Sequence, residues 1–327
     1  MRNDREFSIK VGRVRQMLQS ENLAACLIKR QDNFAWLTCG GTNYVGLGEM
    51  GNFSLLVTGD KLYCIANNIE APRAIEEERI EDFGFEMRVG VWHDGAFEAN
   101  AIKEICGGAL IGYDYPSADG RNISGLIQKL RFSLTNEEIE RYKEGGRLVS
   151  LAVEEVAASV RPGDAEYEVA GRLMYLMRKS GLEFYSVFCA SDERIYKYRH
   201  SILSGKTIRE RVQMGGNYRY KGLVICCTRY VNLVPVTDEL REQYIKNVEI
   251  DCAMIHNTIV GKSYQFPFLA GKKAYEERGY GKEFNKHHQG GPIGYAPRDY
   301  RLDFSHDGII AENQAFCWNP SITGTKS

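Results

Sequence analysis

The chain predicts an α+β protein of two domains, on three observations. Its 327 residues are long for one core and comfortable for two. Up to about Leu134, short helix and strand patterns alternate; beyond it, long helical stretches lead into long strand-forming runs. At the change of pattern stands Thr135-x-x-Glu138, a capping box that starts a helix. The domains are therefore expected at residues 1–134 and 135–327.

In the first domain, Ile9, Val11, Val14, Met17 and Leu18 recur at helical spacing between Phe7 and Ser20. AACLIKR (24–30) reads as a buried strand and FAWLTCGG (34–41) as another. NFSLLVTGDKLYCIANN (52–68) is a hairpin about Thr58-Gly59-Asp60-Lys61. There follow a helix at Ile69–Glu78, a strand at Met87–Trp92, a helix at Glu98–Cys106, a strand at Ala109–Asp114 and a helix at Ile123–Leu130. In the second domain a helix runs from Asn136 to about Val160, where Arg161-Pro162-Gly163 stops it, and another from Asp164 through Leu176. Strand patterns return at 184–191, 211–231 and 314–322. Between them a helix from Thr237 to His256 carries Leu240, Tyr244, Val248, Cys252 and Ile255 on one stripe. The expectation is helices packed against one long antiparallel sheet.

Composition narrows the function classes. Apolar residues are 43% and charged residues 26%, as in ordinary soluble globular proteins. A net charge of -1 provides no field for nucleic acid or an acidic membrane, so neither is an expected partner. MRNDREFSIK has no apolar signal region, and no stretch approaches the roughly 18 apolar residues of a spanning helix; the expected location is the cytoplasm. The nine cysteines show no CxxC spacing and read as reduced, small apolar residues.

Six histidines are the candidates for chemistry. His256 closes a helix, where its partial charge suits the helix dipole. His93 and His306 sit beside aspartates in loops. His200, in KYRHSILSGK, lies between a strand-like run and a turn, where functional side chains concentrate. In KHHQGGPIGY (286–295), His287 and His288 diverge if the segment is extended, so only one is expected to enter a cleft. Arg298-Asp299 and Arg301 with Asp303 read as paired loop charges. There is no HExxH, no Asp-x-Asp cluster, and no Lys-Ser/Thr ending to make the glycines a phosphate loop.

The order of these segments resembles the superfamily of creatinase, Xaa-Pro peptidases and methionine aminopeptidase. VRQMLQSENLAACLIKRQDNFAWLTCG is similar to the creatinase-type N-terminal domain. EIERYKEGGRLVSLAVEEVAASVRPGDAEYEVAGRL resembles the paired helices of the pita-bread catalytic domain. GGNYRYKGLVICCTR resembles its D-x-G-x-x-Y-x-G-x-x-x-D-x-T-R hairpin, HHQGGPIGY its H-x-G-H-G-x-G loop, and FCWNPSI its E-P motif. The resemblance implies a creatinase-like α/β domain followed by a pita-bread domain, in a homodimer; Trp36, Leu37 and Tyr44 are candidate interface or core residues.

Working members hold two metal ions with two Asp, one His and two Glu. Here the resemblance places Gly215, Cys226, Gly291 and Asn319 at four of those positions. The fifth falls just after Ser327, so the domain is expected to end before its last strand. No metal centre and no cofactor are expected; Mn, Co or Zn enters only on a metal-dependent alternative. The resemblance leaves His200 as acid/base with His288 assisting, and Cys226, Arg229 and Asn319 as substrate contacts. Three readings stay open. One is metal-independent hydrolysis of a C–N bond in a small molecule or short peptide. The others are a non-catalytic pseudopeptidase that binds a ligand, and a metal-dependent Xaa-Pro aminopeptidase or dipeptidase.

Overall fold

The computed structural model describes residues 4–46 and 48–322. The expected fifth ligand position and the segment 323–327 lie outside the described residues. The chain divides into two compact units, Met1–Glu138 and Ile139–Ser327.

In the first unit, α1 (Asp4–Ser20) buries Phe7, Val11, Val14, Met17 and Leu18, the stripe its spacing prescribes, with Ile9 facing out. The strands β1 (Ala25–Arg30), β2 (Met50–Thr58), β3 (Leu62–Asn67), β4 (Glu86–Gly90), β5 (Ile111–Tyr113) and β6 (Arg121–Asn122) form one mixed sheet, ordered β4-β3-β2-β1-β5-β6. The β2–β3 hairpin turns where the sequence places it: Thr58 Oγ1 accepts from Lys61 N at 2.9 Å. The unit also carries the short helices α2 (Gln31–Leu37), α3 (Ala71–Glu76), α4 (Phe97–Cys106) and α5 (Ser124–Leu130), and a 3-10 turn at Ile80–Phe83.

Residues 34–41, expected as a strand, form none: 34–37 belong to α2, and 38–41 are turn and loop. A four-residue apolar run has no period of its own, and burial on every side suits either state. The polar neighbour decides: Asn33 is buried, donating to Asp114 Oδ2 at 2.9 Å and accepting from Arg131 at 2.7 Å. The helix conformation delivers Asn33 to both partners while Phe34, Trp36 and Leu37 enter the core. Trp36 and Leu37 are wholly buried and Tyr44 half-buried, so the first two are core and not interface residues.

The second unit begins within α6 (Asn136–Ser159), whose capping box forms as read: Thr135 N donates to Glu138 Oε2 at 2.8 Å and Glu138 N to Thr135 Oγ1 at 3.2 Å. α6 and α7 (Glu166–Lys179) cover the three-stranded antiparallel sheet β7 (Glu183–Ser191), β8 (Arg211–Tyr220) and β9 (Leu223–Asn232). Their core joins Val149, Val153, Leu173 and Met177 to Cys189, Val212, Met214 and Tyr218. After β7 comes a single helical turn, α8 (Glu193–Lys197). Lys221 and Gly222, both at positive φ, make the two-residue β8–β9 turn.

The single long sheet expected here is instead two ladders. Among the described residues, β10 (Gly290–Pro292) pairs only with β11 (Phe316–Trp318). Val224 N, on β9, donates to Gly294 O at 2.8 Å just past β10 and ties the ladders together. α9 (Asp238–His256) and α10 (Gln265–Glu277), the latter absent from the sequence reading, pack on the second ladder through Ile250, Phe268 and Tyr275, joined by Phe284 from the turn that follows. The stripe read for α9 faces outward: Tyr244, Val248 and Ile255 are exposed, and Gln243, Ile250 and Met254 are buried. Apolar residues surround this helix, so the pattern alone selects no face.

One buried ionic group anchors the first unit. Lys10 Nζ lies 2.6 Å from Glu6, 2.7 Å from Glu138 and 2.6 Å from Trp36 O, all without solvent access at the charged groups. Removing the cation takes from two buried carboxylates the ammonium that lies against both, so Lys10→Met is expected to cost about 3–5 kcal/mol in denaturant unfolding. Neutralising both acids as well (Glu6→Gln, Glu138→Gln) is expected to restore most of that loss. Equal stabilities for the single and triple variants would show that the pairing is not the source.

Candidate functional site

The site is assembled from three backbone segments of the second unit. The β8–β9 hairpin places Asn217 opposite Cys226. The β10–β11 ladder places Cys317 opposite Gly291, with Asn319 two residues further on. The loop after α8 brings in His200: its neighbour Arg199 donates to Glu283 Oε2 at 3.0 Å and also bonds Ser321.

Gln289, buried among these segments, fixes the backbone around the histidines. Its side chain donates to Phe284 O at 2.9 Å and His287 O at 2.6 Å and accepts from Tyr275 OH at 3.1 Å. Its carbonyl accepts from Asn319 N at 3.1 Å. Tyr275 OH also accepts from Ser321 N at 2.7 Å. One buried glutamine and one tyrosine thus hold together the ends of three loops.

Three imidazoles meet there. His200 Nε2 lies 3.3 Å from His287 Nε2. His287 and His288 stack with centroids 4.3 Å apart, and His200 and His288 lie 6.4 Å apart. Adjacent histidines were expected to diverge, with His288 the one in the cleft; both are in it, and His287 is the nearer partner of His200. The stacking of the two rings brings both to one side although His287 itself is extended. Ligating atoms of all three lie within 4.8 Å of one another, a group able to hold a metal ion. Burial, then His200, Arg199 and Arg298, lowers His287 to about 4; burial, then His287, Arg298, Arg301 and His200, lowers His288 to about 4. Both rings are therefore neutral at pH 7.

A second cluster adjoins the first through Asn319. Its Oδ1 accepts from Arg298 at 2.6 Å, while its Nδ2 lies 3.3 Å from His287 Nδ1 and 3.3 Å from His288 O. The same guanidinium reaches Cys317 Sγ at 3.5 Å and Cys226 Sγ at 3.8 Å. Cys226 Sγ donates to Asn217 Oδ1 at 2.7 Å, and the two thiols influence each other's ionisation. The neighbouring Cys317, with burial, raises Cys226; the neighbouring Cys226, with the Arg298 charge and against burial, lowers Cys317. Arg298 is thus a site residue and not the loop charge it was read as. Arg229 pairs instead with Glu154 at 2.6 Å and Cys227 at 3.3 Å and is no part of this chain of contacts. Sequence reasoning missed Arg298, Cys317, Asn217 and Gln289 as site residues, and chose His288 over its neighbour His287, the one of these that carried a signal.

The residues at the four positions that the resemblance assigns to metal ligands do not fit a pair of divalent ions. A Cβ at Gly215 would lie 2.2 Å from Cys227 O and 2.7 Å from Thr228 Cα, and one at Gly291 would lie 2.8 Å from Tyr300 O. The backbone is packed around the absence of those side chains. The other two positions, Cys226 and Asn319, offer no carboxylate and already bind a guanidinium. Two dications need anionic bridges, and a fixed cation in their midst opposes them.

Comparisons with known proteins agree with the fold. An uncharacterized peptidase of Bacillus subtilis (strain 168), YqhT, is 24% identical over 287 residues, which are 81% of this chain and 75% of that protein. The structure of an Xaa-Pro dipeptidase from Bacillus anthracis superposes with a TM-score of 0.72 at 24% identity, covering 94% of this chain and 87% of that one. An X-Pro aminopeptidase from Thermotoga maritima MSB8 does so with a TM-score of 0.77 at 21% identity, covering 94% and 88%. Residues 140–326 match the model of metallopeptidase family M24, more than half of the chain. With the creatinase and Xaa-Pro peptidase resemblance and the pita-bread fold both established, the chain belongs to metallopeptidase family M24.

Proposed function

We propose that this chain hydrolyses a C–N bond in a small molecule or dipeptide-like substrate, with the imidazole pair His200 and His287 as acid and base, and without the paired metal ions of its family. One observation carries the reading: the 3.3 Å contact between the two Nε2 atoms. Two nitrogens at that distance share one proton, so one ring donates as the other accepts. A neutral imidazole takes a proton from water as it adds to the carbonyl carbon, and the pair returns a proton to the leaving nitrogen. His288 packs against His287, and Asn319, already bonded to Arg298, orients it. Cys226, expected to touch substrate, serves one step further away through Arg298.

The test is a screen of Xaa-Pro dipeptides and small amides in the presence of a chelator. Turnover is expected to persist, and to fall about 10²–10⁴-fold in His200→Ala and in His287→Ala with little change in melting temperature. Turnover that vanishes with the chelator, or a wild-type rate in both variants, overturns the reading. Binding without turnover throughout the screen would make the chain a pseudopeptidase.

The convergence of three imidazoles favours a second reading, a single transition-metal ion held by His200, His287 and His288. Elemental analysis after loading with Mn, Co or Zn separates the two. About one ion per chain, lost in His287→Ala, supports the metal; none supports the proton pair.

The neutral state of the buried rings has its own consequence. Their folded pKa values, about 4, lie below the ordinary 6.5. As pH falls through that window the unfolded chain takes up protons that the folded chain refuses, so stability falls with pH. Between about pH 7 and pH 4.5, the melting temperature of His287→Asn/His288→Asn is expected to drop less than that of the wild type. Parallel curves would mean that the two rings are not held neutral by the fold.

A further inference from the structure

Cys226 and Cys317 are more than two apolar fillers. They come from different ladders, on β9 and β11, yet the two ends of one guanidinium fork reach both sulfurs, Cys226 Sγ at 3.8 Å and Cys317 Sγ at 3.5 Å. The ladders are held in that relation by the bond from Val224 N to Gly294 O and by the pairing of Cys317 with Gly291. One guanidinium lies against both sulfurs, and a fixed cation beside a thiol favours the nucleophilic thiolate. Neither side chain is fully buried. By contrast Cys26, Cys64 and Cys189 are buried. Asn319, two residues beyond Cys317, is the group that bonds both Arg298 and His287. Proximity, a charge partner, access and a path to the imidazoles therefore coincide at this pair.

We propose that Cys226 and Cys317 are a peroxide-reactive dithiol whose disulfide resets Arg298 and Asn319 beside the imidazole cluster. The Cys317 thiolate attacks one oxygen of hydrogen peroxide; the S–O bond forms, the O–O bond breaks, and hydroxide leaves to become water. Cys317 is then a sulfenic acid, oxidised by two electrons, and the peroxide is reduced. The Cys226 sulfur attacks it; the S–S bond forms, the S–O bond breaks, and the departing hydroxide takes the Cys226 proton as a second water. A dithiol reductant reverses the sequence by thiol–disulfide exchange. The bond draws the two sulfurs to about 2.05 Å and removes the thiolate that faced Arg298.

The experiment treats the full chain with hydrogen peroxide, blocks remaining thiols with N-ethylmaleimide and maps the peptides. A cross-linked peptide joining Cys226 to Cys317, abolished by dithiothreitol and still formed in Cys227→Ser, supports the proposal. Its formation is expected to slow about tenfold or more in Arg298→Gln. Both cysteines recovered separately alkylated, or Cys226 cross-linked elsewhere, overturns it. The coupling to the cleft is read by imidazole NMR. The His287 signal is expected to move on oxidation of the wild type and to stay in place in Cys317→Ser, whose folding is checked by its melting curve. A His287 signal that ignores the disulfide would overturn the coupling. None of these readouts depends on the chain being a hydrolase.

Discussion

The guanidinium of Arg298 sets what this cleft can hold. It cannot shed its charge, and its planar fork reaches Asn319, Cys317 and Cys226 together. A cation in that position needs neutral or softly anionic neighbours, and an amide and two thiols are such neighbours. Carboxylates at positions 226 and 319 would neutralise it in salt bridges and leave nothing for a metal. At the positions that the resemblance assigns to metal ligands, the lack of acidic side chains and the presence of this arginine are therefore one electrostatic arrangement. Gly215 and Gly291 belong to it as well, because the backbone has closed over the space their side chains would need.

The same cation shapes the imidazoles. Arg298 and Arg199 face His287, and Arg298 and Arg301 face His288. Together with burial they disfavour a second positive charge on either ring. A neutral imidazole is both a competent base and a competent ligand, so proton transfer and single-metal binding draw on one property. Its precision comes from groups that carry no charge: Gln289 grips the His287 carbonyl, and Tyr275 grips Gln289 and Ser321. The geometry of the imidazole cluster rests on such satisfied buried bonds, since about a half-ångström of slack would separate the rings.

Much of the fold was legible because period and capping carry it. The α1 stripe, the β2–β3 turn at Thr58–Lys61 and the Thr135–Glu138 box are local rules with local answers. Where the deciding partner is distant, the sequence was silent. Residues 34–37 are helical because Asn33 must reach Asp114 and Arg131, some eighty and a hundred residues away. The buried face of α9 is chosen by α10 and the second ladder, not by its own pattern. In the site, His200 stood out by its loop setting, but Arg298 and Cys317 acquire meaning only when β9 and β11 meet. Adjacent histidines were misjudged because the rule for extended chains fixes where a Cβ points, not where a ring on two rotatable bonds ends up.

Asn319 joins the two clusters, and its chemistry explains why an amide stands there. The oxygen must accept from a permanent cation, and the nitrogen must face an imidazole and a backbone carbonyl. Only a side chain with an acceptor at one end and a donor at the other satisfies both. A carboxylate would hold Arg298 more strongly but would present an acceptor to the His288 carbonyl and repel it. It would also favour protonated rings, against the burial and the arginines that keep them neutral. With Asn319 in place, the charge of Arg298 is spent on the thiols and the amide, and the imidazoles sense it only as a field. A displacement of Arg298 or of β11 reaches His287 through that side chain, as well as through the Arg298 field and the Gln289 backbone, so the thiol pair and the imidazoles lie at two ends of one hydrogen-bonded path.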